Sequence, residues 1–289
     1  MSDRGRAALE AALAPRRFRA AHLAAGRTGE VLRVEVDGGS TLVAKLDPRG
    51  DGGLETEAEG LRMLAASGAP APRVESAGPH LLLMDWCPGD TGVASDAAED
   101  AARALHRLHV AGERPFGLAS DARIGGLHQP NAPEDSWLSF FAEHRLLAFA
   151  RAARDEGRLD VPGVELVERV AARLVELAAE PATPALLHGD LWAGNVLTVG
   201  GALTAFLDPA PYHGHPEVDL AFATMFGGFP RRFFDTYREL ARDAEPTVLD
   251  GGFWSERKDL WNLFPLLVHV RLFGGGYVDE LVRTARRFV

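Results

Sequence analysis

Apolar and polar positions follow two different periods in the first and the later part of the chain. Up to residue 88 the apolar positions mostly alternate with polar ones or form short runs, and this pattern predicts strands at 31–36, 41–46 and 80–86. Two segments, 4–14 and 54–67, repeat their apolar positions every three or four residues instead, which predicts helices. The first part should therefore be a small β-rich lobe with one main helix.

Beyond residue 88 the helical period dominates. The exception is a pair of short strands, 196–199 and 203–207, joined by a Gly-Gly turn. We therefore predict an α+β fold with two lobes, a β-rich lobe at 1–88 and a larger α-rich lobe at 89–289. The main helices predicted in the second lobe are 95–110, 134–153, 164–180 and 254–273, the last kinked or interrupted at Pro265.

Composition narrows the class of protein. The net charge of −10 over 289 residues argues against a general affinity for nucleic acid or anionic membranes, which basic surfaces provide. The single cysteine, Cys87, excludes an intramolecular disulfide and fits a reducing compartment. The N-terminal residues show no signal-peptide pattern, and the apolar segment 260–273 is too short and too polar to span a bilayer. We expect a soluble cytoplasmic protein, and the sequence leaves its oligomeric state open.

The chemistry is concentrated in three polar residues. Asn195 follows Asp190 by five positions, and Asp208 follows Asn195 by thirteen. Kinases have the same order of a catalytic Asp, an Asn and a later metal-binding Asp. Phosphoryl transfer needs a base at the acceptor hydroxyl and divalent cations on the phosphates, so we predict Asp190 as the base and Asn195 and Asp208 as ligands of Mg²⁺ beside ATP. Each fragment alone could be a turn or a strand end, but their combination favours a kinase.

The β-rich lobe supplies a lysine and a carboxylate for the nucleotide. Lys45 lies on the strand 41–46, where a lysine that contacts the α- and β-phosphates is expected. A buried lysine needs a carboxylate partner, and the helix 54–67 offers Glu55, Glu57 and Glu59. We favour Glu57 because it adjoins the apolar side of the helix. The alternative for all three is a solvated acidic face.

A short glycine-containing loop precedes the strand 31–36. Gly26, Thr28 and Gly29 stand where a phosphate-covering loop is expected, and backbone amides with the Thr28 hydroxyl could bind phosphate. The loop has only two glycines and lacks a full Gly-x-Gly-x-x-Gly pattern. A plain β-turn explains the same residues equally well.

Beyond these positions the sequence resembles the fructosamine (ketosamine) kinase family and, through it, the aminoglycoside and choline phosphotransferases. The resemblance rests on Leu-Leu-His-Gly-Asp-Leu-Trp-Ala-Gly-Asn at 186–195, Asp-Pro-Ala-Pro-Tyr-His-Gly-His at 208–215 and Met-Phe-Gly-Gly-Phe-Pro at 225–230. It implies a protein-kinase-like fold and an enzyme that uses ATP and Mg²⁺ to phosphorylate the sugar 3-hydroxyl of ketoamines. These are small molecules or glycated lysines of peptides and proteins. The phosphorylated product would eliminate and free the amine, a deglycation repair.

The resemblance also implies residues on the acceptor side. Trp192 would stack on the sugar or shape its pocket, and His213, His215 and Glu217 would line the site. For the two histidines, substrate contact and loop-stabilising hydrogen bonds weigh equally. For Glu217 we hypothesise that it helps to hold the substrate ammonium, together with Asp190 and Asp219.

Three further polar residues, Asp219, His106 and His109, are expected to have structural roles. Asp219 is expected to accept backbone N–H groups from the loop 188–190, and His106 and His109 are expected to be structural rather than a metal pair. Gly189 replaces the Arg of the protein-kinase His-Arg-Asp motif and no Ala-Pro-Glu segment follows, which argues against a protein kinase controlled by phosphorylation of its activation loop. The remaining alternatives are a phosphotransferase for an aminoglycoside, choline or a sugar, and a non-catalytic kinase-like binding module.

Overall fold

The computed structural model describes residues 3–25 and 29–289. The first lobe is an antiparallel five-stranded sheet in the order β1-β2-β3-β5-β4. In the sequence, one helix precedes the first strand and a second helix lies between the third and the fourth strand. Its elements are α1 (Asp3–Leu13), β1 (Phe18–Ala25), β2 (Glu30–Val36), β3 (Thr41–Leu46), α2 (Gly53–Ala66), β4 (Val74–Gly78) and β5 (Leu81–Asp85).

The predicted strands and helices of this lobe are present, but two strands, β1 and β4, were not predicted from the sequence. In β1, residues Phe18 to Leu23 are half-buried or exposed, so no buried apolar face imposes a period on the sequence. The strand forms because it pairs with β2, from Phe18 opposite Val36 to Ala25 opposite Glu30. Backbone hydrogen bonds of this kind leave little trace in a sequence.

The second lobe is mainly helical. Its core is a large apolar cluster that includes the fully buried Trp137 and Trp261. Its elements are β6 (Asp90–Thr91), α3 (Ala98–His109), β7 (Ala122–Ile124), β8 (Leu127–Gln129), α4 (Trp137–Phe140), α5 (Ala148–Asp155), α6 (Val161–Ala172), α7 (Leu174–Leu177), β9 (Ala185–Leu187), β10 (Val196–Val199), β11 (Ala202–Phe206), β12 (Tyr212–Gly214), α8 (Glu217–Met225), α9 (Arg231–Ala241), α10 (Lys258–Trp261), α11 (Leu263–Phe273) and α12 (Gly276–Ala285), with π-helical segments at Phe141–Leu147 and Phe253–Arg257 and 3₁₀ turns at Ala193–Asn195 and Arg286–Phe288.

The interruption predicted at Pro265 is confirmed, with the break slightly upstream. α10 ends at Trp261 and α11 begins at Leu263. Pro265 is the third residue of α11, where its missing N–H would have had no acceptor within the helix.

The connection between the lobes is short. After β5 ends at Asp85, the chain enters the second lobe at β6, which pairs with β10. Gly89 has φ +130° and passes so close to Thr198 that an added Cβ would lie 2.7 Å from the Thr198 carbonyl oxygen. A side chain at this position would therefore push the connection away from the strand pair that carries the predicted metal ligands. Of the part of the chain that the structure describes, no helix has the length and apolar character needed to cross a membrane.

Candidate active site

The loop that follows β9 carries Asp190, and Asp219 holds its backbone. Asp219 lies in the first turn of α8 and accepts hydrogen bonds from the backbone N–H of His188 (2.7 Å) and of Gly189 (2.9 Å). The role expected for Asp219 is thereby confirmed. Gly189 has φ +82°, and a Cβ there would clash with the Ala210 carbonyl, so glycine lets this loop lie directly against the segment after Asp208.

Hydrogen bonds of His109 and His188 hold this loop and its partner Asp219 in position. His109 donates from Nε2 to Asp219 (3.1 Å) and its Nδ1 lies 2.6 Å from the Tyr237 hydroxyl, which confirms a structural role for His109. His188 donates from Nε2 to the Leu207 carbonyl (2.9 Å) and accepts at Nδ1 from the backbone N–H of Asp190 (3.2 Å). Burial lowers the pKa of His188, so the neutral tautomer required by these two contacts is maintained.

Asp190 and Asn195 face each other across the loop. The Asn195 side-chain amide donates to the Asp190 carbonyl (2.9 Å) and to the Asp190 carboxylate (3.1 Å). Burial of the Asp190 carboxyl, reinforced by the negative charge of Asp208, raises the pKa of Asp190 to about 7. A carboxylate with a pKa near neutrality is well matched to accept a proton at physiological pH.

Asp208 lies just after the strand β11, two residues beyond its last residue Phe206. Its carboxylate accepts a hydrogen bond from the Lys45 ammonium, which also contacts the Glu57 carboxylate at 2.7 Å. Among the three glutamates of α2 that we considered, Glu57 is thus the one that pairs with Lys45. Burial lowers the pKa of Lys45, but the charges of Asp208 and Glu57 outweigh this and raise it, so the lysine stays charged. Asp208 also has φ +51°, a conformation that residues other than glycine rarely adopt and that is frequent at functional sites.

One cavity of about 240 Å³ lies between the lobes, and it is bordered by Lys45, Glu57, Asp190 and Asp208. Gly29 also lines it, and a Cβ at Gly29 would clash with the Leu46 carbonyl, so glycine is required where the loop approaches β3. The predicted positions Gly26 and Thr28 lie outside the described residues. The cavity is lined by Gly29, Glu30, Val31, Lys45, Leu46, Asp47, Gly53, Leu54, Glu57, Arg123, Ile124, Gly125, Gly126, Asp190, Asp208, Pro209 and Ala210.

Sequence reasoning missed the β7–β8 hairpin on the far wall of this cavity. Arg123 donates to the Asp51 carbonyl just before α2 (2.8 Å), and Gln129 donates to the Ala210 carbonyl (3.2 Å). The hairpin therefore connects the helix that carries Glu57 to the segment after Asp208. The signal that could have revealed it is Gly125-Gly126 between two short alternating runs.

The acceptor-side residues are placed differently from one another. Trp192 is 39% exposed beside Asp190, as an acceptor contact requires. His213 is buried in β12, and its Nδ1 accepts from the backbone N–H of Glu113 (3.0 Å). His215 is buried, accepts from the backbone N–H of Glu217 (3.1 Å), and lies 5.3 Å from the Trp261 ring. Of the two roles left open for these histidines, the observed contacts are the loop-stabilising ones.

The contacts of Glu217 contradict the acceptor-side role expected for it. Its side chain is fully buried, and its carboxylate accepts two hydrogen bonds from the Arg257 guanidinium (2.8 Å each) and one from the Trp261 indole N–H (3.0 Å). The sequence places Glu217 on the acceptor side, but a carboxylate committed to these partners in the core does not hold a substrate ammonium. Spacing after Asp208 indicated proximity to the site and did not reveal the direction of the side chain.

The buried histidine His215 gives a testable pH dependence. Burial lowers its pKa from 6.5 to about 4. The folded state therefore holds His215 neutral while the unfolded state takes up a proton below pH 6.5, so stability is lost as the pH falls from about 6.5 towards 4. At pH 5 this loss amounts to about 2 kcal/mol.

Replacing His215 by Gln, which can still accept the Glu217 N–H, should remove this dependence. Urea unfolding at pH 7 and pH 5 checks it: the free energy of unfolding of the wild type should fall by about 2 kcal/mol more than that of His215→Gln. Equal losses in both proteins would show that His215 does not titrate in this range.

The fold and the site together define a class of protein. A five-stranded sheet and a helical lobe, with a Lys–Glu ion pair and two aspartates, Asp190 and Asp208, around one interlobe cavity, form the arrangement of an ATP-dependent kinase with a protein-kinase-like fold. An aminoglycoside phosphotransferase crystallised with ADP and hygromycin B shares this fold, with a TM-score of 0.64, 17% identity and coverage of 96% of this chain and 97% of that one.

Within this class, the chain belongs to the fructosamine kinase family, whose sequence profile matches residues 16–289. The probable ketoamine kinase of Synechocystis sp. is 40% identical over 236 residues, which cover 78% of this chain and 75% of that protein. The crystal structure of a candidate fructosamine-3-kinase from Thermobifida fusca superposes with a TM-score of 0.87 at 38% identity, over 97% of this chain and 96% of that one.

Proposed function

We propose that this kinase transfers the γ-phosphoryl group of ATP to the sugar 3-hydroxyl of a ketoamine, the adduct of a sugar with an amine. The observation that carries the proposal is the half-buried Asp190 at the edge of the cavity that also contains Lys45 and Asp208, where its pKa is raised to about 7. The ketoamine as acceptor is supported by the family and by the names of its relatives. The amine carrier in this proposal is a free amino acid or a lysine of a glycated peptide or protein.

Each residue has a distinct task in the reaction. Asp190 accepts the proton of the acceptor hydroxyl as the new O–P bond forms, and the Asn195 amide fixes the orientation of its carboxylate. In this proposal Lys45, held by Glu57, contacts the α- and β-phosphates, and Gly29 lies beside the β3 backbone at the edge of the same cavity. Around the hydroxyl, Trp192 offers a ring face to the sugar.

The site fits a magnesium ion at Asn195 and Asp208. Besides burial, the negative charge of Asp208 raises the pKa of Asp190 even though Lys45 pairs with Asp208, and a cation would neutralise this remaining effect. Within residues 3–25 and 29–289 no group of three or more His, Cys, Asp or Glu side chains could hold a metal alone. This suits Mg²⁺, which typically binds through one or two carboxylates together with substrate phosphates. When bound, the ion neutralises charge on the phosphate oxygens.

The product explains the proposed physiological use. A ketoamine phosphorylated at its 3-hydroxyl can lose a proton from C1 and eliminate phosphate from C3, and water then hydrolyses the resulting imine, which frees the amine and leaves a sugar-derived dicarbonyl. The enzyme would thereby reverse glycation, so a free amine should appear after phosphorylation.

The test is ATP consumption with Mg²⁺ on fructosyl-lysine and ribulosyl-lysine, with an aminoglycoside and choline in parallel. We expect turnover on a ketoamine, a phosphorus NMR signal coupled to the sugar C3 proton, and slow release of free lysine. Asp190→Asn should lower turnover by about a hundredfold or more, and the surface control Asp155→Asn should keep it, since Asp155 pairs with Arg154 at the surface. Turnover solely on the aminoglycoside or on choline would refute the ketoamine acceptor, and phosphate on another carbon would refute the 3-hydroxyl.

A further inference from the structure

A band of exposed aromatic side chains begins next to the catalytic base. Trp192, Phe226 and Phe273, here called the aromatic band, are 39%, 46% and 52% exposed. Trp192 is two positions after Asp190, and its backbone N–H donates to the Asp190 carbonyl (3.1 Å). Large apolar side chains that form a contiguous exposed surface commonly mark a binding site. None of the three lines the cavity between Lys45 and Asp208.

The two rings nearest to the base are held in place. The Trp192 indole lies over Gly194 so closely that a Cβ there would clash with the ring. The Phe226 ring contacts the Trp192 ring, with centroids 6.1 Å apart and an interplanar angle of 77°. An edge-to-face contact of this kind is favourable for two aromatic rings. The band therefore has a defined shape.

The backbone after α8 is also built to bring Phe226 to the catalytic loop. Gly227 and Gly228 turn the chain with φ +72° and +89°, which other residues rarely adopt. A Cβ at Gly228 would clash with Ala193, and the Gly228 carbonyl accepts from the Val93 N–H (3.3 Å). Because glycine alone allows this approach, the position of Phe226 is specified by the fold.

His269 continues the band toward α12. Its ring lies 5.1 Å from the Phe226 ring and 5.6 Å from the Phe273 ring. The His269 Nδ1 lies 2.7 Å from the Pro265 carbonyl, which fixes the imidazole between the two phenyl rings. The surface from Trp192 to Phe273 is thus continuous.

We propose that the aromatic band is the subsite for the amine carrier of the ketoamine, and that it favours amines with an extended apolar or aromatic body. This inference rests on the proposed function. In a ketoamine the nitrogen is four bonds from the 3-hydroxyl oxygen, so it lies within about 5 Å of it. With that hydroxyl at Asp190 and the phosphate in the cavity with Lys45, the nitrogen and its carrier lie on the side of Trp192.

The chemistry of the band matches this occupant. Cation–π attraction favours the position of the secondary ammonium of a ketoamine above the face of an indole ring. Beyond it, Phe226 and Phe273 present apolar surface to a chain such as the four methylenes of lysine, or to an aromatic ring. A small carrier such as methylamine would reach Trp192 but not Phe226.

The test compares two ketoamines of the same sugar, the benzylamine adduct and the methylamine adduct. We expect the wild type to have a higher kcat/KM for the benzylamine adduct. Phe226→Ala should lower the ratio of the two kcat/KM values about fivefold, through KM, since an aromatic contact of this size is lost. Phe226→Tyr should restore the ratio. The control Trp254→Ala, which removes a 44% exposed ring whose ring contacts are Phe234 and Phe253, should keep it.

The outcomes separate this inference from the function on which it rests. A ratio unchanged by Phe226→Ala, or an equal loss for both adducts, would overturn the carrier subsite while the ketoamine kinase stands. If the wild type phosphorylates neither adduct nor any other ketoamine, the proposed function falls and the subsite falls with it.

Discussion

Replacing Asp190 by Asn is expected to lower kcat by about 10²–10⁴-fold. The amide has the size of the carboxylate and can keep a contact with Asn195, but it does not accept a proton from the acceptor hydroxyl. Nucleotide binding should change little, because Lys45 is held by Glu57 and Asp208 rather than by Asp190. Steady-state kinetics on a ketoamine, with ATP affinity measured separately, checks both expectations.

The pH profile of the wild type provides a second measurement of the same residue. Because the carboxyl of Asp190 must be deprotonated to act as a base, kcat/KM for the acceptor should rise with pH and level off at or below about 7, since a cation bound at Asp208 would lower the pKa of Asp190. Asp155→Asn serves as the control, since this aspartate is 66% exposed at the end of α5. A loss of less than tenfold in Asp190→Asn would mean that another group takes the proton.

The catalytic centre was predictable because its residues are tied to short local patterns. Asp190 and Asn195 belong to one loop, and Asp208 follows the paired strand β11, so the hairpin β10–β11 brings Asp208 back to this loop. Lys45 and Glu57 come from adjacent elements, a strand and the helix that follows it. Their pairing needed one further assumption, that a buried lysine requires a carboxylate.

The remaining parts depend on tertiary contacts that no local pattern encodes. The spacing of His215 and Glu217 after Asp208 is the same whether their side chains point to the substrate or to the core. The direction is decided by Trp261 and Arg257, about forty residues further along the chain, which pack against them. The contact between Phe226 and Trp192 is of the same kind, because it depends on how the turn after α8 meets the catalytic loop.

The position of α2 shows how the fold keeps the Lys45–Glu57 pair in place without a long activation segment. Eight residues, 209–216, separate Asp208 from α8. Pro209 and Pro211 of this segment pack directly on Gly60 of α2, where an added Cβ would lie 3.1 and 3.0 Å from their ring atoms. Arg123 also donates to the Asp51 carbonyl just before α2. Together, these contacts fix the position of α2 and therefore of Glu57, which pairs with Lys45.

Replacing Glu217 is expected to destabilise the protein strongly while leaving substrate binding intact. Glu217→Ala leaves the Arg257 guanidinium, whose side chain is only 17% exposed, without its main buried partner. Removing one member of a buried ion pair costs about 3–5 kcal/mol, because the remaining charge is desolvated and uncompensated. Urea unfolding at pH 7 measures the loss, with Glu176→Gln as the control.

Glu176 also pairs with an arginine, Arg173, but both side chains are exposed, at 61% and 43%. Its replacement should therefore change the free energy of unfolding by less than about 1 kcal/mol. The conservative variant Glu217→Gln, assayed well below its unfolding midpoint, separates stability from binding: its KM for a ketoamine should stay close to that of the wild type. A stable Glu217→Ala protein combined with a KM raised tenfold or more in Glu217→Gln would return this carboxylate to the acceptor site, because only a direct contact with the substrate ammonium would produce that combination.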